Sequence, residues 1–137
     1  MLEQRIRDNA NKLSKVFTAI KLLDENELPH LYELHDLYVE AMRLTGELMS
    51  DALYMKDTAY TERKHEQARI MLESTGTIAE KQAQSEIAIT PLREKEDKGN
   101  YTYTRYKARY KSLDHKLFDI KAKRSAMERE LQQGVVK

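Results

Sequence analysis

The 137-residue chain contains no cysteine and no tryptophan, and it has only four glycines and two prolines. Without cysteine it can form no disulfide, no thiolate zinc site and no cysteine nucleophile. No apolar run reaches the 18 residues of a transmembrane helix, and early charges at Glu3 and Arg5 do not fit a secretory signal. We therefore expect a cytoplasmic protein with no membrane partner.

Motifs of enzymes are also missing. The sequence has no P-loop, no Gly-x-Ser-x-Gly elbow and no glycine-rich phosphate-binding loop. Two Glu-x-x-His pairs, Glu27/His30 and Glu62/His65, have a spacing that occurs in di-metal helical bundles. The first lies beside a proline and the second among charges, which favours exposed histidines. We expect a non-enzymatic protein with no cofactor, no metal and no small-molecule substrate.

The scarcity of helix breakers and the 34% of charged residues predict an all-α fold, an elongated helical hairpin or bundle with a C-terminal coiled-coil heptad helix. We expect a single domain over 1–137, with helices at 1–25, 27–75, 77–98 and 101–132. Asn26 is the expected N-cap of the second helix, and Gly76 with Thr77 forms the stop and the cap of the next. Pro91 should kink or break the third helix, and Gly99 should weaken it again.

The last predicted helix has the most regular apolar pattern. Its apolar residues recur at alternating steps of four and three, a heptad seam that needs a partner helix. The partner is either the second helix of the same chain or another copy of the protein, so we expect a homo-oligomer. The seam residues are Tyr106, Tyr110, Leu113, Leu117, Ile120, Met127 and Leu131, with Arg124 at the one polar position.

The charge of the chain is strongly asymmetric. Residues 1–100 carry 14 Lys and Arg against 19 Asp and Glu, whereas residues 101–137 carry 10 against 4. The basic segment also holds four of the eight tyrosines, which alternate with cations between 101 and 111. Cations that hold phosphates and rings that stack on bases are typical of single-stranded nucleic-acid binding. Because Tyr106 and Tyr110 lie on the seam, Tyr101 and Tyr103 are the expected stacking residues.

The predicted nucleic-acid site is therefore a set of cations and two tyrosines that contact single-stranded DNA. Its members are Lys64, Arg69, Tyr101, Tyr103, Arg105, Lys107, Arg109, Lys111, Lys121, Lys123 and Arg124.

Two alternatives remain for the charge pattern. The basic helix could fold back on the acidic face of the second helix, so that the charges pair internally. That acidic face could instead occupy a basic groove of a protein partner, such as a host defence nuclease, which would make the protein an inhibitor or adaptor. A structural coiled-coil assembly protein is a further alternative. The acidic residues concerned are Glu33, Asp36, Glu40, Glu47 and Asp51.

Four segments between about residues 53 and 131 resemble phage recombination mediators of the UvsY type. They are EQARI at 66–70, STG at 74–76, TIAEK at 77–81 and KAKR at 121–124, within a tyrosine-punctuated basic helix. In that family the first segment has the form Lys-Ala-Arg-Leu, and its cations are associated with single-strand binding. Arg69 matches the second cation, whereas Gln67 replaces the lysine and Lys64 lies one turn before it.

The resemblance implies a ring-forming, non-catalytic accessory protein that binds single-stranded DNA. Such a protein helps to load a recombinase onto DNA coated by a single-strand-binding protein, so both proteins are implied partners. It also implies a phage gene and the cytoplasm of the host cell.

Overall fold

The computed structural model describes residues 1–136, and within them the fold is all-α. Three helices follow one another along the chain, α1 (Leu2–Lys21), α2 (Leu28–Glu73) and α3 (Ile78–Val136), and no strand occurs in this range. The predicted all-α class is confirmed. Helix α2 continues through Gly46 without a break.

The start of α2 differs by one residue from the prediction. Asn26 is not the N-cap, because its amide donates to Asp24 Oδ1 at 2.9 Å and so belongs to the preceding turn. Glu27 occupies the capping position, since its carbonyl accepts the N–H of Leu31 at 3.1 Å. Pro29 lies in the first turn as expected, where its missing N–H leaves no intrahelical bond unmade.

The connection between α2 and α3 has the predicted chemistry. Gly76 adopts φ +113°, a left-handed conformation that residues with a Cβ rarely tolerate. The hydroxyl of Thr77 accepts the backbone N–H of Glu80 at 3.2 Å and thereby caps α3.

The predicted division of the C-terminal half into two helices is wrong, because α3 is one helix of 59 residues. Pro91 lies on an exposed side, where the carbonyl that loses its helical partner can be hydrated. Gly99 is buried in the helix instead of ending it. A Cβ at Gly99 would lie 3.1 Å from the Cα of Lys56, so this glycine allows two helices to approach closely.

The chain forms two compact units. The first, here called the bundle unit, comprises Met1–Leu48 and Tyr106–Lys137. The second, the hairpin unit, comprises Met49–Arg105. Each unit has its own packing, described separately below.

The bundle unit has a leucine-rich core shared by its three helical segments. The predicted heptad seam supplies Leu113, Leu117 and Ile120 to this core, so its packing partners lie in the same chain. Tyr110 and Leu131 lie mostly outside it. The other buried members come from α1 and α2, namely Leu13, Leu31, Leu34, Tyr38, Ala41, Leu44 and Leu48.

The hairpin unit packs two helices against each other across smaller side chains. Its buried positions on α2 are Asp51, Ala52, Ala59 and Ile70, and those on α3 are Ser85, Ile89 and Gly99. Arg63 Nε donates to Glu96 Oε2 at 2.7 Å across the same two helices, with both side chains largely covered. Small residues therefore set the distance between these helices.

Candidate nucleic-acid interface

Three lysines of the predicted site share one exposed side of α3 in the bundle unit. Lys107, Lys111 and Lys121 are exposed, and none of them makes an ion pair with the described residues. The helical period places 107 and 111 one turn apart and brings 121 back to the same side. Three ammonium groups without protein partners are available to phosphate oxygens.

Phe118 lies on this side of the helix, and the sequence reasoning missed it. Its side chain is 72% exposed, although Leu117 beside it is buried in the core. Its exposure could have been predicted from its position, because the residue directly after the seam residue Leu117 points to a different side of the helix. We call the set Lys107, Lys111, Phe118 and Lys121 the lysine face. Asp114 is an acidic residue on the same side.

Two other cations of the basic segment form ion pairs with Glu25, which lies in the connection between α1 and α2. Lys116 Nζ and Lys123 Nζ lie 2.5 Å from the two carboxylate oxygens of Glu25. Hydrogen bonds from Lys116, and then from Lys123, hold the pKa of Glu25 below its usual value. Lys123 was predicted to contact DNA, and the structure instead gives it a carboxylate within the bundle unit.

Arg124 and Arg109 lie over aromatic rings of the bundle unit. The guanidinium of Arg124 is 5.3 Å from the ring centroid of Tyr32, and its Nε is 3.8 Å from Glu128. The guanidinium of Arg109 is 5.6 Å from the ring centroid of Phe17. Both cations still reach the surface, but their stems are committed to intramolecular packing.

The predicted stacking tyrosines belong to the hairpin unit, and neither presents a free ring. The ring of Tyr101 lies 5.5 Å below the guanidinium of Arg105, whose Nη1 donates to the tyrosine hydroxyl at 3.3 Å. Tyr103 is half-buried. Arg105 is thereby engaged by a side chain one turn before it.

The remaining predicted cations, Arg69 and Lys64, lie on α2 of the hairpin unit. Arg69 forms ion pairs with Glu66 and with Glu73, the latter at 2.7 Å. These carboxylates, Glu66 first, raise the pKa of the guanidinium. Lys64 Nζ lies 5.6 Å from the ring centroid of Tyr60. The arginine that carries the family resemblance is therefore the most heavily paired cation of the predicted set.

The predicted acidic face is only partly a free surface. Arg43 lies between Glu40 and Glu47, with contacts of 2.5 and 2.8 Å, so two of its acids are neutralised by their own helix. Glu47 also accepts a hydrogen bond from the buried Asn9 at 2.9 Å. Asp51 is only 7% exposed and has an intramolecular partner, so its assignment to an exposed acidic face is wrong.

Glu33 and Asp36 remain exposed on the first half of α2. Asp36 contacts His35 at 3.3 Å, and Glu33 has no ion-pair partner in the described chain. In the bundle unit, Lys116 and Lys123 of α3 pair with Glu25, which lies before α2 and is not a member of the predicted acidic face. Within the described bundle unit, no ion pair joins Glu33, Asp36, Glu40 or Glu47 to the basic part of α3.

The histidines form no metal site within residues 1–136, where no three potential ligands converge. His30 Nε2 lies 3.4 Å from Glu27, and its Nδ1 accepts the backbone N–H of Asp24 at 2.8 Å. Glu62 and His65 are both exposed. None of the described helices is long and apolar enough to cross a membrane.

Comparisons with protein-family models, with curated proteins and with solved structures give no match for this chain.

Proposed function

We propose that this protein binds single-stranded DNA without catalysing a reaction, and that the lysine face is its phosphate-binding surface. The observation that supports the proposal is the set of three exposed lysines on one side of α3 that have no intramolecular ion pair. Phosphates attract such groups most strongly, because binding releases condensed counterions and breaks no existing ion pair.

The biological setting of this proposal comes from the resemblance to UvsY-type mediators. We place the protein in phage recombination or replication in the host cytoplasm, where it helps a recombinase to load onto coated single strands. A recombinase or a single-strand-binding protein is its proposed protein partner. Self-association into a homo-oligomer would repeat the lysine face and multiply a weak contact.

We rank the cations within this proposal by whether each already has an intramolecular partner. Lys107, Lys111 and Lys121 are the primary phosphate ligands. Arg109 and Lys64 are secondary because each already lies over a ring, and Lys123 and Arg69 would have to leave carboxylates.

The test is fluorescence anisotropy of a labelled single-stranded oligonucleotide at several salt concentrations. We compare Lys107→Glu/Lys111→Glu with Lys95→Glu/Lys98→Glu, a control of equal charge change at exposed positions of the hairpin unit. If two phosphate contacts are lost, the slope of log affinity against log salt falls by about 1.4, since each contact contributes about 0.7 for single strands.

Equal losses in both double variants would mean that only net charge matters, and this would overturn the lysine face as the site. If the wild type does not bind at low salt, DNA binding itself is wrong. The exposed acids Glu33 and Asp36 then become the surface to study, by pull-down with Glu33→Lys/Asp36→Lys as the comparison.

A further inference from the structure

We infer that Phe118 is the base-stacking residue of the lysine face, and that its ring makes this face select single strands over duplex DNA. This inference rests on the proposed function and deepens it by naming the residue that gives the lysine face its preference for single strands. Neither the motif resemblance nor the tyrosine pattern points to this residue.

The first argument is exposure. Phe118 is 72% exposed, whereas Phe17, the other phenylalanine of the chain, is half-buried against the core. The ring of Phe118 therefore lies outside the core and is accessible to a ligand.

The second argument is the surroundings of the ring. Phe118 lies seven residues after Lys111 and three before Lys121, spacings that keep all three side chains on one side of α3. Neither lysine makes an ion pair in the described chain, and no cation lies over the ring of Phe118. A strand held by phosphates along these lysines would have its bases within reach of a free π-face.

The third argument is elimination among the aromatic residues of the basic segment. Tyr101 carries the guanidinium of Arg105 on its ring, and Tyr103 and Tyr106 are partly buried. From residue 106 onward, where the basic segment belongs to the bundle unit, Tyr110 is the other exposed ring among the described residues. Its side chain is 37% exposed, about half as much as that of Phe118. Phe118 therefore offers the most complete free ring.

Selectivity follows from the geometry of stacking. In a single strand a base can leave its neighbours and lie flat on an aromatic ring, whereas in a duplex each base is already stacked and paired. Lysines alone attract both forms, because both carry phosphates. A lysine face with a stacking ring consequently prefers single strands.

The test uses three labelled probes of equal length: an oligodeoxythymidine, an abasic strand with the same phosphates, and a mixed-sequence duplex. Binding of each probe is measured by anisotropy for the wild type, Phe118→Leu and Phe118→Trp. Leucine keeps the apolar character and helix propensity but removes the ring, and tryptophan keeps an aromatic face. Light scattering on the same samples reports the oligomeric state.

We expect Phe118→Leu to weaken binding of the oligodeoxythymidine on the order of tenfold, the range for loss of one stacked base. Its affinity for the abasic strand and the duplex should equal that of the wild type, and Phe118→Trp should bind the base-bearing strand at least as tightly as the wild type. Equal losses on the base-bearing and abasic strands would overturn the inference.

Two further outcomes separate this inference from the proposed function. If the wild type binds all three probes alike and Phe118→Leu changes none of them, the lysines act alone and the stacking role is wrong while DNA binding stands. If Phe118→Leu changes the oligomeric state, the ring contacts a second copy, and the stacking role is also overturned.

Discussion

In the bundle unit, mainly leucines fill the space between three helical segments, whereas in the hairpin unit alanine, serine and glycine share the contact of two helices with Ile70 and Ile89. The bundle unit buries Leu31, Leu34, Leu44 and Leu48 almost completely. The hairpin unit has Ala52, Ala59 and Gly99 at its contact and leaves Leu72 and Ile87 exposed. The comparison shows two different sources of stability along one continuous α2.

The first unit depends on buried apolar volume, and the second depends on close approach of two helix backbones. Volume is lost when a large side chain is shortened, and close approach is lost when a small one is lengthened. Shortening a large buried side chain should therefore lower the free energy of unfolding most in the bundle unit, and lengthening a small one should lower it most in the hairpin unit.

The largest effect is expected for Leu44→Ala in the bundle unit. Leu44 is completely buried, so the shortened side chain leaves a cavity and loses about 2–5 kcal/mol of unfolding free energy. Urea denaturation followed by far-UV circular dichroism measures the loss. Leu72→Ala, at an exposed leucine of the hairpin unit, is the control and should stay within about 0.5 kcal/mol of the wild type. Similar losses in both variants would contradict the comparison.

The next effect concerns two glycines within helices: replacing each by alanine should change the free energy of unfolding in opposite directions. A Cβ at Gly99 would meet Lys56 backbone atoms at 3.1–3.2 Å, so Gly99→Ala should separate the helices and cost about 1–3 kcal/mol. A Cβ at Gly46 would meet only Tyr110 Cε2, at 3.8 Å. Gly46→Ala should therefore stabilise the bundle unit by up to about 1 kcal/mol, the difference in helix propensity.

Hydrogen exchange of the two glycine variants locates each effect. Faster exchange of amides in 49–105 is expected for Gly99→Ala, and slower exchange in the bundle unit for Gly46→Ala. A stabilised Gly99→Ala variant would show that the hairpin unit does not depend on close approach.

A smaller effect concerns acid sensitivity of the bundle unit. Lys116 and Lys123 lower the pKa of Glu25 in the folded protein, so its contribution to stability is fully present above the unfolded value of about 4.3. The contribution is lost as pH falls through the lower folded pKa. Glu25→Gln should destabilise the protein at pH 7 and have little effect at the acid end. Glu33→Gln, which removes an exposed carboxylate without an ion-pair partner in the described chain, is the control, and in urea denaturation at pH 7 it should stay within about 0.5 kcal/mol of the wild type.

The smallest effect is expected on the lysine face. Lys107→Glu/Lys111→Glu changes exposed side chains without intramolecular ion pairs, so the free energy of unfolding should change by at most about 0.5 kcal/mol per site. Thermal and urea unfolding check this. A larger loss would mean that these lysines contribute to folding, and reduced DNA binding could then not be attributed to lost phosphate contacts.

The sequence was sufficient for features set by local chemistry. Gly76 indicates a helix end and Thr77 a helix cap. The apolar spacing of α1 and of 106–127 identifies residues that pack in the bundle unit. The all-α fold follows from the scarcity of breakers. These features depend on a few neighbouring residues, which is why one sequence reveals them.

Features that depend on distant contacts were missed. Gly99 looks like a helix stop until Lys56 is found against it, and Asp51 looks like a surface acid until its burial is known. For the candidate site, the sequence did not separate Lys123, which pairs with Glu25, from Lys107, Lys111 and Lys121, which are exposed and have no ion-pair partner in the described chain. The engagement of Tyr101 by Arg105, one turn away, could have been anticipated from spacing alone.

The left-handed turn at Gly76 also has a consequence for the order of folding. Contacts of the hairpin unit join residues close in sequence, such as Arg63 and Glu96 at a separation of 33, and they can form progressively outward from the turn. In the bundle unit, Glu25 and Lys123 are 98 residues apart. Closing the longer loop directly costs about 1 kcal/mol more in chain entropy than closing the shorter one. If the hairpin unit folds first, most residues between Glu25 and Lys123 are already ordered, and closing the bundle unit then costs less chain entropy. We therefore expect rapid pairing around Gly76 to precede and accelerate folding of the bundle unit.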